Sequence, residues 1–182
     1  MKHLLVASFS LLAGCAVTQV SPVGFGPMPE GYTCCNLHYI DDWISDGNWG
    51  DFPIIPAGTP IKVVGYGSNR AYVEIDGKTF RIGHDYGRAQ EPLDQFVAKL
   101  VVREDPRSKV AAWPDPVREA VRLGRLAPGM TREQALITAG YPATHRTPVL
   151  EAPVWTYWHD RLTSYRVTWD GAGRIQHIAT QP

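Results

Sequence analysis

An α+β protein in two successive parts is what three features of this sequence predict. Ala71, Val73 and Ile75 alternate with Tyr72 and Glu74, and Asp76-Gly77 follows as a hairpin turn. After Pro92, the residues Leu93, Phe96, Val97, Leu100 and Val101 recur on one helical face. From Asp115 onward, two helical stretches with their own stop signals precede three strand candidates. The expectation is a β-rich segment over 32–104 that ends in one amphipathic helix, then a unit over 115–182 of two helices and a three-stranded antiparallel sheet. The charged and proline-marked stretch Arg103-Glu104-Asp105-Pro106-Arg107-Ser108-Lys109, with Pro114 and Pro116 beyond, puts the boundary near 104–114.

The chain opens Met1-Lys2-His3, followed by an apolar run from Leu4 to Leu12 and then Ala13-Gly14-Cys15. A basic start, a short apolar stretch and small residues make an export leader, here 1–14. The apolar run falls short of the roughly 20 residues that span a bilayer. Leu12-Ala13-Gly14-Cys15 resembles the bacterial lipobox. That resemblance implies cleavage before Cys15 and acylation of its thiol and new amine, and several acyl chains hold a protein stably at a membrane. Ala16, rather than Asp, follows the cysteine. By resemblance to the sorting pattern of Gram-negative lipoproteins, this implies an outer-membrane location, lipid-anchored and facing the periplasm. Residues 15–31, rich in Pro, Gly, Val and Ser, read as a flexible tether.

In the β-rich segment, Leu37 to Ile40 is a short strand candidate. Ile54-Ile55-Pro56-Ala57-Gly58-Thr59-Pro60 forms a turn into a strand over Ile61 to Val64, and Gly65-Tyr66-Gly67-Ser68-Asn69 connects to the next. Lys78 to Ile82 pairs back after the hairpin turn. The stretch from Ile55 to Val63, with the hairpin, is similar to the start of bacterial SH3-like domains. Of three cysteines, Cys34 and Cys35 remain once Cys15 carries lipid. They are either bonded to each other or unreactive thiols. Cys34-Cys35-Asn36-Leu37-His38 offers a soft metal only three ligands, without the paired spacing of a structural zinc site.

In the second unit, Asp115 is expected to cap a helix with Pro116 in its first turn, Val117, Ala120 and Val121 on its apolar face and Gly124 at its end. Thr131 and Gln134 make a capping box for a helix that runs to Ala139 and stops at Gly140. Strands follow over Val154 to His159, Leu162 to Trp169 and Arg174 to Ala179. This order, with Leu126-Ala127-Pro128-Gly129-Met130-Thr131 before the second helix and Gly140-Tyr141-Pro142 after it, resembles the small lipoprotein domain of the SmpA/OmlA/BamE family. The resemblance implies attachment to the outer membrane and a part in the assembly of β-barrel proteins there. The chain departs from that family in carrying the β-rich segment ahead of the domain.

Charge excludes some function classes. The 182 residues hold 18 Lys+Arg and 18 Asp+Glu, with no basic excess for nucleic acid. No nucleophile motif or metal-ligand spacing is present, and no motif implies a cofactor. His84-Asp85 reads as a polar turn, and Asp41-Asp42 with Asp46 as a solvated one. The aromatic and basic cluster on the last strands is the interaction candidate, since aromatics and Arg are enriched at interfaces. Trp155, Tyr157 and Arg161 are the candidate partner-binding residues, expected on an outward face. The expected role is non-catalytic binding or scaffolding at the outer membrane, linked to outer-membrane protein assembly or envelope integrity. The alternative is a module that binds peptidoglycan through the β-rich segment.

Overall fold

The structure is a computed structural model that describes residues 28–181. The leader, Cys15 and most of the tether lie outside the described residues. The elements are β1 (Glu30–Thr33), β2 (Leu37–His38), β3 (Trp43–Ser45), β4 (Ile54–Ile55), β5 (Pro60–Tyr66), β6 (Arg70–Ile75), β7 (Lys78–Gly83), α1 (Leu93–Leu100) and β8 (Val101–Val102). They continue with α2 (Arg107–Ala111), α3 (Asp115–Arg122), α4 (Arg132–Ala139), β9 (Val154–Trp158), β10 (Ser164–Trp169) and β11 (Ile175–Gln181). The protein is α+β, and its described residues form a six-stranded, a three-stranded and a two-stranded sheet, the last pairing β2 with β4.

The larger sheet has the order β3-β7-β6-β5-β1-β8. Only β3 and β7 run parallel. Alternation sets its buried face: Ile61 and Val63, Ala71, Val73 and Ile75, and Phe80 and Ile82 all join one core with Phe96, Val97 and Leu100 of α1. Asp76 and Gly77 take φ of 49° and 73°, as the tight turn between β6 and β7 requires. Two sequence expectations are corrected here. The tether does not reach residue 31, because β1 begins at Glu30 and pairs with both β5 and β8. Gly31 is the residue that permits this, since a Cβ there would lie 2.2 Å from the Val102 carbonyl oxygen. The helix also stops at Leu100, and Val101 turns into β8 instead of completing the helical stripe. Strand pairing with β1 outweighs one more turn of helix.

In the second half, α3 starts at Asp115 after an extended Pro114, so Asp115 is the first helical residue rather than its cap. Its carboxylate pairs with Arg118. Gly124 closes α3 at φ 65°, its N–H donating to Val121 while Arg125 N–H donates to Ala120, the pairing of a Schellman end. Both arms of the Thr131/Gln134 capping box form. The sheet is a meander of order β11-β10-β9. Val117 and Ala120 of α3 and Ala135, Leu136 and Ala139 of α4 pack on the same face of it, against Trp155, Tyr157, Tyr165, Val167 and Ile175.

The two halves meet along a seam with a small apolar cluster in it. Ala57 of the first half packs with Val121 and Ile137 of the second, flanked by Val110 and Trp113. The stretch read as a connector contains the short helix α2, which supplies Val110 to this contact. Buried Asn36 donates to the carbonyls of Val121 (2.7 Å) and Thr138 (3.0 Å) and accepts from Ala57 N–H. Asn48, at φ 42°, donates to the carbonyls of Asn36 and Ala139. Gly50 and Asp51 N–H groups extend the pairing onto the carbonyls of Trp158 and His159.

Candidate functional site

Several of the buried polar groups lie at or near the seam, and two clefts are lined by residues of both halves. His84, at the end of β7, is 1% exposed and stacks on Phe96 with ring centroids 4.5 Å apart. Among the described residues neither ring nitrogen has a hydrogen-bond partner, and Glu91 Oε1 lies 3.9 Å from Nε2. Burial holds its pKa below the ordinary histidine value, against the pull of Asp46 and Glu91. Asp46, read from the sequence as part of a solvated turn, is buried instead. Its Oδ2 accepts from the N–H groups of Tyr86 and Gly87, both at 2.9 Å, while Oδ1 has no partner among the described residues. Burial raises its pKa. Gly87 is forced by crowding, because a Cβ there would lie 2.1 Å from Thr144 Oγ1 and 2.7 Å from His84 Nε2. Asp85 turns away from His84 and pairs with Arg70 at 3.0 Å.

The first cleft, of about 490 Å³, lies between α2, α4 and the end of β1. Cys34 and Cys35, bonded to each other, form part of its wall. Both sulfurs are thereby removed from any ligand set with His38, whose Nδ1 bonds the Phe52 carbonyl. Among the described residues no three His, Cys, Asp or Glu side chains are grouped to hold a metal ion. Arg103, Glu104 and the Lys109–Glu133 ion pair bring both signs of charge to the cleft.

The second cleft, of about 570 Å³, lies beside the C-terminal end of α3. Phe52 and Ile54 of the first half line it with Leu123, Leu126, Tyr165 and Ile178 of the second. Here the apolar face of the three-stranded sheet runs beyond the helices that cover it.

The three candidate partner-binding residues do not share a surface. Trp155 is fully buried and Tyr157 2% exposed, both in the core under α3 and α4, so the outward placement expected of them is corrected. Tyr157 Oη donates to the Gly140 carbonyl and Trp155 Nε1 to that of Leu150, so each ring is held by its polar end as well as by packing. Period-two alternation put them on one face together but could not say which face the helices take. Arg161 alone is exposed, with its guanidinium 5.2 Å from the centre of the Trp49 ring. Sequence reasoning missed Asn36, Asn48, Asp46 and His84, because each acquires its role from chain far away in sequence. The one local signal was Asn48 in Gly47-Asn48, a residue type that tolerates positive φ. No helix among the described residues is long and apolar enough to cross a membrane. In comparisons with family models, with curated proteins and with solved structures, nothing matches the chain.

Proposed function

We propose that this chain is an envelope lipoprotein, held at the outer membrane through acylated Cys15 and facing the periplasm, whose folded body acts by binding. The observation that carries the reading is Leu12-Ala13-Gly14-Cys15 behind a basic start and a short apolar run, with Ala16 following. The helix–helix–meander order of the second half adds support for a role in outer-membrane protein assembly or envelope integrity, through its likeness to the SmpA/OmlA/BamE pattern. Two solvent-reached clefts on one cooperative body suit a protein that recognises partners. Anchoring raises the local concentration of that body at the membrane, so modest contacts suffice.

Labelled palmitate given to cells should appear on the wild-type chain and not on Cys15→Ser, which should leave the membrane fraction. Labelling of Cys15→Ser would overturn the anchor. Crosslinking in membranes should then recover envelope proteins with the wild-type chain. Co-sedimentation with purified peptidoglycan in place of protein capture would overturn the protein-partner reading in favour of cell-wall binding.

A further inference from the structure

We infer that the open edge of β11 and the groove beside it receive an extended segment of a partner polypeptide, which adds to the smaller sheet as a fourth strand. This rests on the binding reading above and names the class of partner.

The edge comes first. Among the described residues, β11 pairs with β10 alone. At its start, Ile175 bonds outward, donating to Met130 and accepting from Gly129 at 2.8 Å each. The register then shifts between Thr168 and Trp169, so that His177 and Ala179 face Thr168 and Arg166. In an antiparallel ladder the backbone groups of successive residues point to opposite sides. The shift therefore turns the N–H and C=O groups of Ile178 and Thr180 away from β10. Among the described residues neither makes a hydrogen bond on that side. The opposite edge of the sheet is already used: Thr156 N–H donates to Thr147 Oγ1, and the Trp158 carbonyl accepts from Gly50. The end strands of the larger sheet, β3 and β8, have only three and two residues. An unpaired ladder is a template for another strand. A helix satisfies its own backbone and an acyl chain has no donor, so neither answers these groups.

The groove sets the side chains. Ile178 pairs across the ladder with Val167 and Thr180 with Tyr165, so both side chains lie on the face that the helices cover further along. They line the 570 Å³ cleft with Leu123, Leu126, Phe52 and Ile54. Leu123 and Ile178 are 41% and 36% exposed and line the same cleft. A strand laid along β11 would put every second side chain into this cleft. Charge narrows the choice further. Asp51 in the cleft is engaged by His159 at 3.3 Å, whereas Arg125 on its rim has no carboxylate among the described residues. The segment that fits is extended, apolar at alternate positions, and carries an acidic residue to meet Arg125.

The test uses the full lipidated chain in detergent micelles and a fluorescent peptide of about nine residues that alternates valine and threonine around one glutamate. Fluorescence anisotropy should show saturable binding. Alternate N-methylation of the peptide amides should weaken it at least about tenfold, since each lost hydrogen bond is worth about that much. Thr180→Pro removes an outward N–H without touching the β10 ladder, and should weaken binding similarly with the melting temperature unchanged. Arg125→Glu should lose the glutamate peptide and gain its lysine counterpart. Hydrogen exchange on the unaltered chain should show the Ile178 and Thr180 amides protected by the peptide, which decides the matter even if Thr180→Pro folds poorly. Equal binding of the N-methylated peptide, or no protection at those two amides, would overturn the proposal. So would a dimer by light scattering that Thr180→Pro dissolves, because the edge would then belong to a second copy. If the peptide fails while membrane crosslinking still recovers envelope proteins, the β11 proposal falls and the binding reading stands. If both fail, both fall.

Discussion

The Asn36 side-chain amide donates to the Val121 and Thr138 carbonyls near the ends of α3 and α4 and accepts from Ala57 N–H within its own half. A buried polar group left unmatched costs about 1–3 kcal/mol. Asn36→Ala leaves the Ala57 N–H without its acceptor and takes one donor each from the Val121 and Thr138 carbonyls, so it should lower urea stability by about 1–3 kcal/mol. Asn36→Asp should cost more, because a carboxylate would face the two carbonyl oxygens. A variant as stable as the wild type would show that water replaces the amide. Trp155 belongs to folding rather than recognition, and Trp155→Ala should cost about 3–5 kcal/mol. Arg161→Ala should stay within about 0.5 kcal/mol of wild type, as exposed substitutions do. The histidines give the seam a pH dependence. Burial holds His38, His84 and His145 below the ordinary value of 6.5. The folded state thus binds fewer protons than the unfolded chain just below that value, and stability falls as pH drops through it. Asp46, whose pKa is raised from 3.8, acts in the opposite sense. It favours the folded state on acidification, in a window that begins above 3.8. The melting temperature should therefore decline from pH 7.5 toward 5.5, and a flat or rising profile would contradict the burial of these rings.

At the scale of the element, α4 illustrates how a weakly amphipathic segment is fixed at its ends. Thr131 Oγ1 accepts from Gln134 N–H at 3.2 Å while Gln134 Oε1 accepts from Thr131 N–H at 2.9 Å. Thr131→Ala should cost about 1 kcal/mol, and Thr131→Ser should restore most of it, measured by chemical denaturation. At the other end Gly140 takes φ 76°, and a Cβ would lie 2.5 Å from Asn48 Nδ2. The stop signal is therefore also a contact with the first half. That second role could not be read locally, whereas the capping box and the Gly124 end could, because their partners lie within five residues. β11 shows the converse. The Asp170-Gly171-Ala172-Gly173 turn announces it, but the register shift opposite Thr168 decides which of its amides face outward.

At the scale of the molecule, the seam makes the two halves one unfolding unit. Ala57, Val121 and Ile137 are buried together, and the Asn36, Asn48 and Gly50 bonds cross the same surface. Heating should give one transition, with far-ultraviolet circular dichroism and tryptophan fluorescence coinciding, since tryptophans lie in both halves. Two separated transitions would mean that the seam opens before either core.

The sequence by itself determined the α+β class, the β5–β6–β7 hairpins, the presence though not the exact ends of α1, α3 and α4, and the terminal meander. These depend on periodicity, caps and turn residues, which act over a few positions. Tertiary structure alone decided that β1 slots between β5 and β8, that α2 forms in the connector, and that Trp155 and Tyr157 turn inward. It also decided that Asp46 and His84 are buried at a seam and that Ile178 and Thr180 are left at an open edge. The physical reason is the same in each case. Alternation puts residues on a common face, but only the element packed against that face, brought from far along the chain, settles whether it meets water or core.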